Sequence, residues 1–96
     1  MNAKLLMLIV DESKKEDLQV LLNRLGVVGY TEISRAVGVG ATGPRLGSRA
    51  FPRTSAILFT VVTAEALQDT VAAIREYCAD CGERLKMIVW GVEEVQ

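Results

Sequence analysis

Lys4-Leu-Leu-Met-Leu-Ile-Val-Asp-Glu-Ser-Lys-Lys-Glu-Asp-Leu-Gln-Val-Leu-Leu-Asn-Arg-Leu-Gly26 reads as a strand running directly into a helix. Lys4 to Val10 is apolar almost throughout over a strand's length, the pattern of a strand central in its sheet or buried on both faces. Ser13 precedes Glu16 at capping-box spacing, which predicts that the helix starts there, with the serine oxygen accepting from an orphan amide. Leu18, Leu21, Leu22 and Leu25 then recur at i, i+3, i+4 and i+7, one apolar stripe, and Gly26 supplies a left-handed stop.

Tyr30 to Val37 mixes aromatic and β-branched residues in rough alternation and predicts a second strand with one face toward solvent. From Gly38 to Pro52 the chain reads Gly-Val-Gly-Ala-Thr-Gly-Pro-Arg-Leu-Gly-Ser-Arg-Ala-Phe-Pro, with no periodicity and many residues that break structure. This predicts a long loop over about 38–53, and loops of that length inside a compact domain are usually functional or disordered. A third strand starts at Ser55 and runs through Val62. Thr63 caps a second helix whose Leu67, Val71, Ile74 and Cys78 share a face, with Gly82 expected to end it. Leu85 to Trp90 is the last strand. The order β-α-β-β-α-β is the ferredoxin-like α+β arrangement, a four-stranded antiparallel sheet with two helices on one face.

The 96 residues fit one domain, expected to span 1–96. Half of the chain is apolar but only 5% is aromatic, so the core must be built from aliphatic side chains. The mean hydropathy is +0.26, and the second sheet face carries no helix in this arrangement; both observations predict a homo-oligomer. A net charge of -1 argues against a protein that neutralises nucleic-acid backbone. The basic residues are nevertheless uneven, because Arg35, Arg45, Arg49 and Arg53 lie in a stretch with no acid between Glu32 and Glu65. That stretch suits an anion. The apolar run at the amino terminus is too short to cross a bilayer and is followed at once by Asp11 and Glu12, so it is expected to be a strand and not a secretion signal. Two cysteines without a secretory segment suit a reducing, cytoplasmic compartment.

The chain has no histidine, and its carboxylates are dispersed, so acid–base or nucleophilic catalysis is not expected and no catalytic residue is assigned. Glu16 and Asp17 in the first turn of a helix complement its dipole, and Asp11 and Glu12 precede it. Cys78 and Cys81 have the spacing of a redox dithiol or half a metal site, but they straddle the end of a helix, where no N-terminal dipole would activate a thiol. A structural role for the pair and a redox-sensitive or bridging role both stay open. The glycines at 38, 40, 43 and 47 allow backbone amides to approach an anion, though neither a P-loop nor a dinucleotide fingerprint is present. Ligand contact and a plain mobile loop stay open there as well.

Lys4-Leu-Leu-Met-Leu-Ile-Val10, the capped helix, Leu25-Gly-Val-Val-Gly-Tyr-Thr-Glu-Ile33, the long loop, Phe51-Pro-Arg53 and Ile88-Val-Trp-Gly-Val-Glu-Glu-Val95 together resemble the PII signalling family over nearly the whole chain. The resemblance implies a ferredoxin-like homotrimer, not an enzyme, that binds adenine nucleotides in clefts between subunits and presents its long loop to a target protein. The target can be a membrane protein, in which case the association would be peripheral. The segment from Thr31 to Gly40 is similar to the part of the family that lies against the nucleotide, with Gly38 and Gly40 as backbone contacts. Arg53 stands where the family places a basic residue near the ligand. Gly82, Arg84 and Lys86 fall in the phosphate-contacting loop before the last strand, and Arg45 and Arg49 in the partner-binding loop. Two departures stand out: Gly82-Glu-Arg-Leu-Lys86 replaces the usual Gly-Asp-Gly-Lys, and the large loop lacks the tyrosine modified in typical members. No metal and no firm cofactor is implied beyond an adenine nucleotide as effector. Two other readings compete: a scaffold trimer acting through protein contacts alone, and a metal-handling or metal-tolerance module of the same fold.

Overall fold

A computed structural model describes residues 3–27, 29–41, 43–79 and 85–95. In chain order they form β1 (Ala3–Asp11), a 3-10 turn (Glu12–Lys14), α1 (Lys15–Arg24), β2 (Thr31–Ala36), β3 (Gly38–Gly40), β4 (Gly43–Arg45), β5 (Ser55–Thr63), α2 (Ala64–Tyr77) and β6 (Lys86–Val92). The main sheet is antiparallel with order β2-β5-β1-β6, the ferredoxin-like α+β topology.

The apolar run of β1 is central, paired with β5 on one side and β6 on the other. Its alternate residues serve different faces. Leu6, Leu8 and Val10 are buried with Ala56 and Leu58 of β5 and with Leu18, Leu22 and Ile74 of the helices. Leu5, Met7 and Ile9 are only partly covered. Register places them beside Ile57, Phe59 and Val61 of β5 and Ile88 and Trp90 of β6, which makes the helix-free face of the sheet an apolar surface.

Helix α1 does not start as expected. Ser13 lies in the 3-10 turn, and its hydroxyl donates to Asp11 Oδ2 at 2.6 Å while its amide donates to the same oxygen at 3.1 Å. A carboxylate two residues upstream is a better acceptor for this turn than the serine, so Asp11 caps it. The α-helix begins at Lys15 behind Lys14, which makes no side-chain cap. The far end follows expectation: Gly26 adopts φ +79°, Gly26 N donates to Asn23 O and Val27 N to Leu22 O, the paired bonds of a Schellman motif. Thr63 caps α2 by accepting from the Ala66 amide at 3.1 Å. The expected stop at Gly82 lies outside the described residues.

The long loop is shorter than its composition predicts. β3 and β4 form a small antiparallel ladder, pairing Gly38 with Arg45 and Gly40 with Gly43. Beyond it, Leu46 N and Ser48 N both donate to Phe51 O, and Gly47 N donates to Arg53 O, a compact bend with Arg49 exposed near its tip.

Candidate functional site

The register of β2 against β5 shifts between Ile33 and Ala36, and Arg35 within that bulge has φ +58°. A left-handed conformation costs a non-glycine residue about 1–2 kcal/mol, and a specific bond holds it here. The Arg35 amide donates to Glu12 Oε1 at 2.7 Å, and Thr54 Oγ1 lies 3.3 Å from the same oxygen. The other Glu12 oxygen pairs with Lys15 Nζ at 2.7 Å. Lys15 also stands 3.5 Å from Glu32, which accepts from Ser34 and Gln19. The end of β2 is thereby tied to the start of α1. Bonding to Lys15, against some desolvation, and to the Arg35 amide holds the Glu12 carboxyl below its ordinary range. The Ser34 hydroxyl and Lys15 do the same for Glu32, and Glu12 raises Lys15.

The bulge turns the chain so that Ala36 to Ala41 form one wall of a cavity of about 600 Å³, within the range of small-molecule sites. The rest is lined by the end of β1 with Asp11, by Arg45 on β4, by Ser55 and Ile57 of β5 and by Leu85 to Met87 at the start of β6. Gly38, Gly40, Arg45 and Lys86, four of the residues singled out from sequence, are thus brought together. A Cβ at Gly38 or Gly40 would meet none of the described residues within 4 Å, and neither glycine has a positive φ. The described fold by itself therefore does not require glycine at either position.

Asp11 is the least exposed charged group of this cavity. Its Oδ1 pairs with the Arg45 guanidinium and lies 4.0 Å from Arg53 Nη1, and its Oδ2 is held by Ser13. Burial would raise the Asp11 carboxyl, but the Ser13 bonds and the Arg45 guanidinium outweigh it and leave the group below its usual range. Arg53 approaches the site by way of Asp11, with its own side chain 64% exposed. Thr31 lies elsewhere, pairing with Phe59 and lining a second hollow with Leu5, Tyr30 and Val61. Arg49 is on the exposed bend. Cys78, the C-cap of α2, packs against the core and lines a shallow hollow with Arg75 and Met87. Cys81, Gly82 and Arg84 lie outside the described residues. Sequence reading missed Asp11 and Glu12 as organisers of the site. The available signal was two adjacent acids at the end of a central strand, facing a stretch of arginines without acids of its own.

The class the geometry defines is a ferredoxin-like α+β chain with a cavity lined by Gly38, Gly40, Arg45 and Lys86. The family model described as nitrogen regulatory protein P-II matches residues 3–96, and the chain belongs to that family. Among solved structures, CPII from Thiomonas intermedia K12, a nitrogen regulatory PII-like protein bound to ADP, AMP and bicarbonate, superposes with a TM-score of 0.74 at 21% identity, covering 96% of this chain and 89% of its own. A PII-like signaling protein (TTHA0516) from Thermus thermophilus gives 0.73 at 20% identity, with 96% and 88% covered. A DUF3240 family protein from Shewanella baltica OS155 gives 0.76 at 15% identity, with 100% and 96% covered. These similarities bear on the fold. No curated protein matches the chain. Among the described residues, no helix is long and apolar enough to cross a membrane.

Proposed function

We propose that the chain is a trimeric sensor that binds an adenine nucleotide, as its effector and not as a substrate, at the cavity between β3 and the start of β6. It presents the bend at 46–53 to a target protein. The observation that carries this reading is the pair Gly38 and Gly40: bare backbone faces a cavity with Arg45 and Lys86, and none of the described residues explains the missing side chains. Glycine is used where something outside the chain approaches the backbone closely, and amides beside two cations suit phosphate. That CPII is bound to ADP and AMP supports the choice of ligand. The apolar face of the sheet supports association, and in a trimer the clefts between copies would enclose the nucleotide. Leu46 and Phe51, both exposed on the bend, would give a target apolar contacts beside Arg49.

The mechanism is a population shift. Phosphate oxygens taking charge-assisted bonds from Arg45 and Lys86 favour one arrangement of the 38–53 segment, and the target selects among arrangements. The ligand's influence on the target is limited to its preference between them. The protein serves a cytoplasmic partner, either soluble or the inner face of a membrane protein. Titration calorimetry with ATP, ADP, AMP and cyclic AMP tests the reading. Saturable binding that is lost in Lys86→Ala and weakened in Gly40→Val is the expected result. No heat and no thermal stabilisation by any of the four at high excess would overturn it, leaving a scaffold that acts through protein contacts.

A further inference from the structure

The cavity already contains an anion, and it is part of the chain. Asp11 Oδ1 pairs with the Arg45 guanidinium across 34 positions of sequence, and the pair is largely shielded, with side-chain exposures of 18% for Arg45 and 9% for Asp11. Arg53 approaches the same oxygen. Ser13 holds the other oxygen through both its amide and its hydroxyl, so the carboxylate cannot swing away without undoing the turn into α1. Arg45 is the last residue of β4, and its backbone pairs with Gly38. The ion pair therefore fastens the β3–β4 ladder, which is only three residues to a strand, to the end of the central strand. A ladder that short has little stability of its own.

We propose that Asp11 is a built-in latch: it occupies Arg45 in the unliganded protein, holds the β3–β4 ladder against the sheet, and is displaced when a phosphate-bearing anion takes the guanidinium. It rests on the reading of this cavity as an anion site and adds to it the means by which ligand binding reaches the loop. A guanidinium N–H that stays on Asp11 is not available to phosphate. Exchanging one acceptor for the other moves the anchor of the ladder from Asp11 to the ligand, which Lys86 and the glycine amides hold.

The test compares wild type, Asp11→Asn, Arg45→Gln and the double variant by amide hydrogen exchange without ligand, with titrations of ADP and of inorganic pyrophosphate alongside. The latch predicts that exchange in β3 and β4 accelerates by about tenfold or more in each single variant, with no further gain in the double variant. It also predicts that Asp11→Asn binds the anion about fivefold more tightly than wild type. Unchanged exchange in β3 and β4 in both single variants would overturn the proposal, whatever binds. Faster exchange with equal or weaker affinity in Asp11→Asn would overturn the competition with ligand, as would failure of both ADP and pyrophosphate to bind. If pyrophosphate shows the gain and ADP binds neither protein, the latch stands and the nucleotide reading falls. If Asp11→Asn does not fold, Arg45→Gln, whose change is on the two-stranded ladder outside the main sheet, carries the exchange arm alone.

Discussion

Asp11 ends the first strand, Glu12 opens the turn after it, and the two hold different parts of the molecule, Asp11 the loop through Arg45 and Glu12 the bulge through the Arg35 amide. Both carboxyls are held below their ordinary range in the folded chain. A group whose pKa falls on folding stabilises the fold fully above its unfolded value, and that contribution is lost as pH drops through the folded value. Stability measured in urea is therefore expected to be flat near neutrality and to decline below about pH 4. Glu12→Gln should cost about 1 kcal/mol at pH 7, the net size of a typical intramolecular hydrogen bond. Its gap to wild type should narrow as the pH is lowered. A gap that widens toward acid would contradict the assigned role. These two residues were the least legible in the sequence. Their neighbours suggest a helix start and nothing more, because their partners at 35, 45 and 54 become neighbours only after the sheet has formed.

Among the elements, β1, both helices, β5 and β6 were legible because each carries its own apolar pattern over a full element's length. In α2 the stripe predicted from Leu67, Val71, Ile74 and Cys78 meets the core chiefly through Ile74, which is fully buried. Ile74→Ala is expected to cost about 2–5 kcal/mol in chemical denaturation. Thr63→Ala, which removes the cap on the Ala66 amide, should cost about 1 kcal/mol. An equal effect of the two would mean that α2 is held by its ends more than by its face. The β3–β4 ladder was not legible, since Gly-Val-Gly and Gly-Pro-Arg are too short and too poor in side chains to show alternation. The capping box at Ser13 misled for the opposite reason: the local pattern was present, but the carboxylate of Asp11 competed for the same turn.

At the scale of the whole molecule, the sheet has one face under the helices and one apolar face open in the single chain. Leu5, Met7, Phe59 and Trp90 lie on neighbouring strands of that face, with Met7 opposite Phe59 and Leu5 opposite Trp90. Burying an aromatic or aliphatic side chain of this kind contributes about 1.5–3 kcal/mol, so a few of them suffice to favour association. The proposed trimer predicts that wild type scatters light as three copies and Phe59→Lys as one, and that ADP binding is lost with the subunit clefts. A wild-type monomer would leave no subunit cleft to enclose the nucleotide. In the proposed function the glycine wall at 37–41 and the start of β6 form one anion site that controls the adjoining loop. Hydrogen exchange of the wild-type protein with and without saturating ADP tests it most directly. Protection at 37–41 and 85–87 together with altered exchange at 43–53 is the predicted result. Protection absent from both walls, or confined to the helices, would contradict it.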